Sequence, residues 1–462
     1  MRKAIRNWAE KWQFAMEKVM PDSFIFAVLL TFIVVIMALV FVQASPVKIV
    51  QSWYKGFWAY LGFSMQMVVL LIFGYSLAIT RVGVKVVDGI TGLAKTPPQA
   101  VALVAGVAAV LALINWGLGI VAGIFLCLGA ARRVKGVHWP LLVASAFIGA
   151  MAGTAWSISI TEPLLVNSPG WGWTPDIIPA MEKELGQKLL PMGFDKTIYA
   201  PASIVALILT PIVAMLSCYF MHPTPERTRS IDPEALKKLA AESQFTLEKT
   251  PNMTLADKLN WSRTIWILTC IMAFAAIFLW FREKSFLQLD LNMYNFIFLG
   301  LAMLLHENLA RFVESVKMAT KAAFGIILQF PFYAGIFGIM AYTGLLKVVA
   351  GWFVTISNTF TYPLVTMISS GIVNMFIPSS GGIWMVQGPV MILAASSLGV
   401  GFPLTVMAFT AGEVLTNTIQ PFWALPLLGA TGTEMRTIMG YCLIATLFEF
   451  VLVALIYLFL PM

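Results

Sequence analysis

Long apolar stretches limit the folds open to this sequence more than any other feature. The longest are residues 24–42, 68–79, 100–114, 204–220, 265–280 and 438–460. Several approach the roughly 20 apolar residues that a helix needs to cross the hydrocarbon core of a bilayer. Backbone groups in lipid must be hydrogen-bonded internally, and the roughly 10-residue alternating pattern of a membrane barrel strand is missing. The sequence therefore predicts an all-α polytopic membrane protein.

Charge and polar motifs exclude several other classes. Charged residues make up only 11% of the 462 residues, whereas a soluble domain holds about 25%. The net charge of +8 fits cytoplasmic loops rich in Lys and Arg, so no nucleic-acid partner is expected. The four cysteines and three histidines lie singly, which favours neither a transition-metal site nor a disulfide. No Walker, HExxH or GxSxG motif is present, so we expect no ATP drive and no enzyme.

The distribution of basic residues suggests a topology. With the N-terminus in the cytoplasm, most of the 30 Lys and Arg residues fall on the cytoplasmic side, as the positive-inside rule requires. Residues 1–20 mix basic, Trp and apolar side chains like an amphipathic interfacial helix; docking to a partner is the alternative. The first predicted repeat covers 21–221 and contains a re-entrant hairpin at about 96–131. A cytoplasmic linker at 222–261 and a connecting transmembrane helix at 262–282 follow. The second repeat covers 290–462 and contains a re-entrant hairpin at about 350–399.

The first hairpin is predicted from a break in an apolar run. The run breaks at Asn115, and basic residues flank both ends of 96–135. The parts before and after the break look short for a full crossing. A segment that enters and leaves on the cytoplasmic side explains both observations.

The two halves of the chain share a pattern of polar residues. Asn115 precedes Pro163 by nearly the same distance as Asn374 precedes Pro421, and a Gly-rich break follows each Asn. The odd connecting helix at 262–282 would turn the second half upside down. Inverted repeats with interrupted helices in corresponding places are typical of secondary transporters that bind their substrate at the midplane.

Four breaks in the apolar pattern mark the candidate site. They are the two hairpin tips at 115–119 and 374–382 and the two interrupted helices at 153–162 and 412–420. Irregular backbone at membrane depth is tolerated only where it packs in protein or lines a cavity. A helix that restarts after a break presents a positive dipole end that suits a carboxylate, and free oxygens suit Na⁺. Close packing of small residues is the alternative for each break.

Several single residues admit more than one role. Glu413 could carry a coupling proton, bind a cation or accept hydrogen bonds in an unwound segment, and the last role is favoured because a bare carboxylate would repel an anionic substrate. Glu162 is expected nearer the outer end, in contact with solvent. Gln66, Gln329 and Tyr333 could bond between helices or contact substrate. Trp116, Trp384 and Trp423 could form the wall of a pocket or lie in an interfacial belt.

Longer motifs resemble a known family. They are QFPFYAGI at 329–336, IPSSGGIW at 377–384, QPFWALP at 420–426, NWG at 115–117 and MGYC at 439–442. Together they resemble the short-chain fatty acid transporter family of the ion-transporter superfamily, over residues 21–460. The resemblance implies a bacterial inner-membrane protein with a scaffold domain, an elevator-type transport domain built around two hairpins, and a homodimer.

The resemblance also implies site residues, since related sodium-dicarboxylate transporters hold carboxylate and Na⁺ with Ser, Asn and Thr at hairpin tips. The expected substrate-binding residues are Asn115, Trp116, Gly117, Gly119, Asn374, Ser379, Ser380, Gly381, Gly382, Thr416, Asn417 and Trp423. The expected cation-binding residues are Asn115, Asn374, Glu413, Thr416, Asn417 and Thr418. The first tip carries Trp and Gly where Ser and Thr are expected, so a second Na⁺ site is doubtful.

The sequence thus predicts a secondary transporter of short-chain monocarboxylates such as acetoacetate or butyrate. No cofactor is expected beyond Na⁺ or H⁺ as coupling ion. A cation/proton antiporter and an anion channel are the alternatives.

Overall fold

The structure is a computed structural model that describes residues 23–59, 61–173, 178–242, 247, 249, 253–375, 380–420 and 422–462. The interfacial helix predicted at 1–20 lies outside these residues. Regular structure in the described part of the chain is helical throughout, without strands.

Residues 23–221 form the first series of helices. In chain order they are α1 (Ser23–Phe41), α2 (Pro46–Ala59), α3 (Leu61–Ala78), α4 (Arg81–Thr91), α5 (Pro97–Ile114), α6 (Trp116–Arg133), α7 (Trp139–Thr154), α8 (Thr161–Val166), α9 (Ile178–Leu185) and α10 (Pro201–Met221).

The rest of the chain forms the second series. These helices are α11 (Pro233–Glu242), α12 (Leu255–Asn260), α13 (Arg263–Glu283), α14 (Leu291–Leu305), α15 (Leu309–Thr343), α16 (Leu345–Ile356), α17 (Tyr362–Asn374), α18 (Ser380–Leu398), α19 (Phe402–Asn417), α20 (Leu425–Thr431) and α21 (Met435–Phe459).

Within the described residues, 8 helical segments are long and apolar enough to cross a membrane. They are α3, α5, α6, α10, the segment from α12 through α13, the second part of α15, α18 and α21. The chain is therefore a polytopic α-helical membrane protein.

The first predicted hairpin has longer arms than expected. α5 and α6 hold 18 residues each, which corresponds to about 27 Å of helix, so neither is too short to cross. The prediction of short arms was wrong because the helix restarts directly at Trp116, with only Asn115 between the two helices.

The breaks in the two halves also differ from the expected ones. α7 ends at Thr154 and α8 begins at Thr161, which confirms a break in the first half. In the second half the helix continues through residues 412–417, and the irregular backbone follows it. The expected break at 412–420 was wrong at its start, because Gly412 serves close helix packing and residues 412–417 stay helical.

Small residues bring corresponding helices together in the two halves. A Cβ atom at Gly149 or Gly153 would collide with the backbone of α5 at Ala105 or Ala109. A Cβ atom at Gly412 would collide in the same way with the backbone of α17. α7 thus packs directly on α5 in the first half, and α19 packs directly on α17 in the second half.

These contacts place α7 at the centre of the molecule. Nearly every residue of α7 is buried. α13 lies at the periphery, where only Cys270 and Ala273 are buried. The breaks therefore lie inside the protein, as irregular backbone at membrane depth must.

Candidate functional site

A cavity lies where the helix breaks of the two halves meet. Its apolar lining comes from both halves of the chain: Met67, Ile120, Met151, Ile160, Ile326 and Phe330. Such a surface can hold a short hydrocarbon chain away from water.

The polar lining of this cavity consists of hydroxyl and amide side chains. They are Thr154, Thr161, Ser380 and Asn417, and Gly381 lies beside them. Among the described residues, none that lines the cavity is charged. Ser380 and Gly381 open α18, a helix of 19 residues, so the positive end of its dipole lies at the cavity. The arrangement suits a small anion with an apolar tail.

Two tryptophans form an aromatic wall of the cavity. The ring centroids of Trp116 and Trp423 lie 4.9 Å apart at 68°, and both residues line the cavity. The backbone N–H of Trp116 donates to Ser159 Oγ at 3.0 Å, which joins the tip after α5 to the break after α7. Trp384, the third candidate for the wall, lies elsewhere: its indole N–H donates to the Trp171 carbonyl at 3.3 Å and its ring stacks on Trp173.

Asn115 caps a helix and does not line the cavity. It is fully buried, and its Oδ1 accepts from the N–H of Leu118 at 2.9 Å. Its Nδ2 donates to the hydroxyl of Tyr294 at 2.8 Å, and that hydroxyl donates to the Ile114 carbonyl at 3.0 Å. Asn115 thus fixes the break between α5 and α6 against α14 of the second half.

The two glycines after Asn115 serve packing. Gly117 and Gly119 lie in the first turn of α6. A Cβ atom at Gly119 would crowd Ala112 of α5 at 2.6 Å, and one at Gly117 would lie 3.2 Å from Asn115 Oδ1. Gly119 lets α5 and α6 approach each other, Gly117 leaves room for the Asn115 side chain, and neither glycine lines the cavity.

Asn374 plays the corresponding role in the second half. It is fully buried at the end of α17. Its Nδ2 donates to the Glu413 carbonyl at 2.8 Å, Thr416 Oγ1 at 3.0 Å and Asn417 Oδ1 at 2.9 Å. Its Oδ1 has no hydrogen-bond partner in the part of the chain that the structure describes. Asn374 ties the tip after α17 to the end of α19, and of these residues only Asn417 reaches the cavity.

The remaining tip residues complete the second break. Gly382 lies buried in the first turn of α18, and Ser379 lies outside the described residues. Thr416 Oγ1 donates to the Gly412 and Glu413 carbonyls, both at 2.9 Å. Thr418 follows the end of α19, and its buried hydroxyl has no hydrogen-bond partner among the described residues.

Glu413 accepts hydrogen bonds from within a helix. Its Oε1 accepts from Ser380 Oγ at 2.5 Å, and its Oε2 lies 3.4 Å from Asn417 Nδ2. The acceptor role is therefore present, but in an intact helix and without the unwound segment that the sequence suggested.

The burial of Glu162 contradicts the expectation of contact with solvent. Its exposed fraction is 0%, and neither carboxylate oxygen has a hydrogen-bond partner among the described residues. α18 and α19 pack over α8, and these helices come more than 200 residues later in the chain. The sequence signal that could have indicated this burial is a Glu next to a Pro within an apolar stretch.

Other polar candidates bond within or between helices. Gln66 Nε2 donates to Asn292 Oδ1 at 2.6 Å, and the Tyr333 hydroxyl donates to Gln329 Oε1 at 2.9 Å. None of these residues lines the cavity. In the part of the chain that the structure describes, no group of three His, Cys, Asp or Glu could hold a metal ion.

The helices define the class of protein, a multi-pass membrane protein, and a cavity lies between its helix breaks. The chain belongs to the short chain fatty acid transporter family, whose model matches residues 4–460. The family resemblance seen in the sequence is thereby confirmed, and the protein is a transporter and not an enzyme.

Two relatives are similar along nearly their whole length. A Haemophilus influenzae protein is 36% identical over 432 residues, which cover 93% of this chain and 94% of the relative. An Escherichia coli protein is 35% identical over 431 residues, with the same coverage. Both are provisionally named short-chain fatty acid transporters.

Two solved structures share the fold at low sequence identity. The YdaH transporter of Alcanivorax borkumensis has a TM-score of 0.57 and 14% identity, covering 94% of this chain and 98% of that one. MtrF of Neisseria gonorrhoeae, described within a class of antimetabolite efflux pumps, has a TM-score of 0.57 and 14% identity, covering 96% and 95%. At this identity the likeness concerns the fold alone.

Proposed function

We propose that this protein is a secondary active transporter that carries short-chain monocarboxylates, such as acetoacetate or butyrate, across the bacterial inner membrane by cation symport. The observation that carries the proposal is the cavity between the helix breaks. Its walls are apolar, and its polar end is the N-terminus of a long helix.

In this proposal the carboxylate lies at the first turn of α18 and the alkyl chain lies against the aromatic wall. An amide group has two N–H donors, and Asn417 directs one toward Glu413, so the second is available to the substrate. Trp116, Trp423 and Phe330 contact the chain. The predicted binding residues outside the lining, such as Asn115 and Asn374, hold the breaks in place.

The need for a cation follows from the absence of charge in the lining. An anion held in a low-dielectric cavity without a counter-charge is costly. Either H⁺ or Na⁺ would offset its charge. The buried oxygens of Asn374 and Thr418, which have no partner among the described residues, are candidate Na⁺ ligands.

We infer an elevator mechanism in a homodimer, with 21–221 and 290–462 as inverted repeats, 222–261 as a cytoplasmic linker and the N-terminus inside. The packing of α7 on α5 and of α19 on α17, each through glycine, supports the repeat. So do the two Asn residues that close α5 and α17. In this proposal each Asn marks the tip of one hairpin, at about 96–131 and 350–399.

Counterflow in proteoliposomes tests the transport function. Vesicles loaded with unlabelled butyrate or acetoacetate should accumulate the labelled anion transiently, with saturation, and the rate in protein-free vesicles is subtracted. Absence of counterflow for every short-chain carboxylate would overturn the substrate assignment. Conductance without saturation would point to a channel, and cation/proton exchange without an organic anion would point to an antiporter.

A further inference from the structure

We propose that Glu162 and Glu413 form an acidic pair that carries one proton and makes H⁺ the coupling cation. The inference rests on the proposed symport and names its ion. It starts from two carboxylates that the substrate site itself does not use.

The two carboxyl groups lie beside the helix breaks of the two halves. Glu162 is the second residue of α8, directly after the first break, and Glu413 lies one turn before the second break. Each has an exposed fraction of 0%. In a membrane protein, a buried ionisable group of this kind marks a functional pathway by default.

Packing brings the pair together at the wall of the cavity. Ser380 Oγ donates to Glu413, and a Cβ atom on the next residue, Gly381, would lie 3.3 Å from Thr161, the neighbour of Glu162. Ser380 and Thr161 both line the cavity. The acidic pair therefore lies directly behind the polar end of the proposed substrate site.

No basic group compensates the pair. None of the ion pairs among the described residues includes Glu162 or Glu413, and the nearby undescribed residues 376–379 and 421 contain no Lys, Arg or His. Of the helices packed on α8, α18 carries no titratable side chain and α19 carries only Glu413.

The helices packed on α19 add no cation at the pair either. α7 carries no titratable side chain. α17 contributes Tyr362, whose hydroxyl donates to the Met391 carbonyl. α21 carries Arg436, Tyr441, Cys442, Glu449 and Tyr457; Arg436 pairs with Glu434 beside it, Tyr441 bonds to His138 and Tyr457 bonds to Trp156.

Two such carboxylates cannot both be ionised. Burial disfavours each charge, and each charge disfavours the other. The pair therefore keeps at least one proton and titrates as one unit between a singly and a doubly protonated state. Thr410, one turn before Glu413, does not relieve Glu162, because its hydroxyl donates to the Val406 carbonyl at 2.9 Å.

Electrostatics then couples the proton to the substrate. An anion at Ser380 favours the doubly protonated pair, and by linkage the doubly protonated pair favours the anion by the same factor. One carboxylate and one proton cross together, which is an electrically neutral step. The second proton binds to the pair with the anion and leaves with it.

The test compares driving ions in proteoliposomes. Initial rates of labelled acetoacetate uptake are measured under two conditions: an inward pH gradient in choline buffer, and an Na⁺ gradient at equal pH. Because undissociated acid crosses lipid without a protein, the rates in protein-free vesicles are subtracted. We expect uptake with the pH gradient and no Na⁺ requirement. Uptake that requires Na⁺ and does not respond to the pH gradient would overturn this inference but not the proposed transport function. Absence of counterflow in the wild type would overturn both proposals.

Variants assign the proton to the pair. We expect Glu162→Gln to lower the ratio of proton-driven uptake to counterflow at least tenfold. The control is Glu449→Gln, which changes a third fully buried carboxylate and should leave that ratio at the wild-type value. A wild-type ratio in Glu162→Gln would contradict the proposal. Glu413→Gln supplies a second reading should Glu162→Gln fail to fold, since glutamine can still accept from Ser380.

Discussion

Asn417 lies where the cavity meets the polar network behind it. Its side chain lines the cavity, contacts Glu413 and accepts from Asn374. We expect Asn417→Ala to lower butyrate uptake at least tenfold, because a hydrogen bond to a charged group contributes about 1.5–3 kcal/mol. Initial uptake rates, with thermal unfolding as a check on folding, measure the effect.

An exposed asparagine supplies the control for this variant. Asn260 ends α12 on the surface, and Asn260→Ala should transport at the wild-type rate. Wild-type affinity in Asn417→Ala would mean that the substrate binds elsewhere.

Trp423 should report the alkyl chain of the substrate. Because Trp423 lines the cavity and each buried CH₂ group is worth about 0.8 kcal/mol, Trp423→Ala should weaken butyrate more than acetate. The KM ratio of the two substrates measures this difference. Trp352→Ala, at an exposed residue of α16, should leave the ratio unchanged, and equal losses for both substrates in Trp423→Ala would exclude contact with the chain.

Sequence reasoning found the right places at the residue scale but not always the right roles. Asn115 and Asn374 were predicted as binding residues, and the structure uses their amides to close helix breaks. An Asn before a helix restart is suited to both roles, so residue type alone cannot separate them. The burial of Glu162 depends on helices far along the chain, which no local pattern reveals.

At the scale of elements, a charged clamp holds the amphipathic helix α4 against the end of α6. Arg133 donates to Asp88 Oδ1 and Oδ2, both at 2.8 Å, and to Thr91 Oγ1 at 2.6 Å. These bonds hold the pKa of Asp88 below its usual range. A lowered carboxyl pKa stabilises the fold above the unfolded pKa of about 3.9, and the contribution is lost as the pH falls through the folded pKa.

We expect Arg133→Ala to release α4 at neutral pH. Hydrogen exchange should become faster over residues 81–91, with a stability loss of about 1 kcal/mol or less because the pair is partly exposed. Arg132→Ala is the matched control, since Arg132 makes a single bond to the Asp88 carboxylate, at 3.2 Å. Unchanged exchange in Arg133→Ala would show that apolar packing alone holds the helix.

Sequence reasoning assigned no helix to α2 or α4. Both are amphipathic and carry charges, so their hydropathy falls below that of a membrane-crossing segment. The end of α19 was misplaced for a related reason: a glycine that permits close packing was read as a break. Hydropathy identifies contact with lipid, whereas these features depend on contacts between helices.

At the scale of the molecule, the membrane class could be predicted because every segment that crosses a bilayer must be apolar and must hydrogen-bond its own backbone. The meeting of the two halves at the cavity could be anticipated only from the repeat in the positions of Asn, Gly and Pro. The residues that line the cavity could not be predicted, since Met67, Met151 and Ile326 resemble ordinary core residues in the sequence.

Substrate protection of a single cysteine tests most directly whether short-chain carboxylates bind in this cavity. Thr154 lines it, and the four native cysteines are buried, so a small water-soluble thiol reagent should label Thr154→Cys above a low background. We expect saturating butyrate to slow that labelling at least tenfold, and sulfate to have no effect. An unchanged labelling rate in a variant that still shows butyrate counterflow would contradict the account.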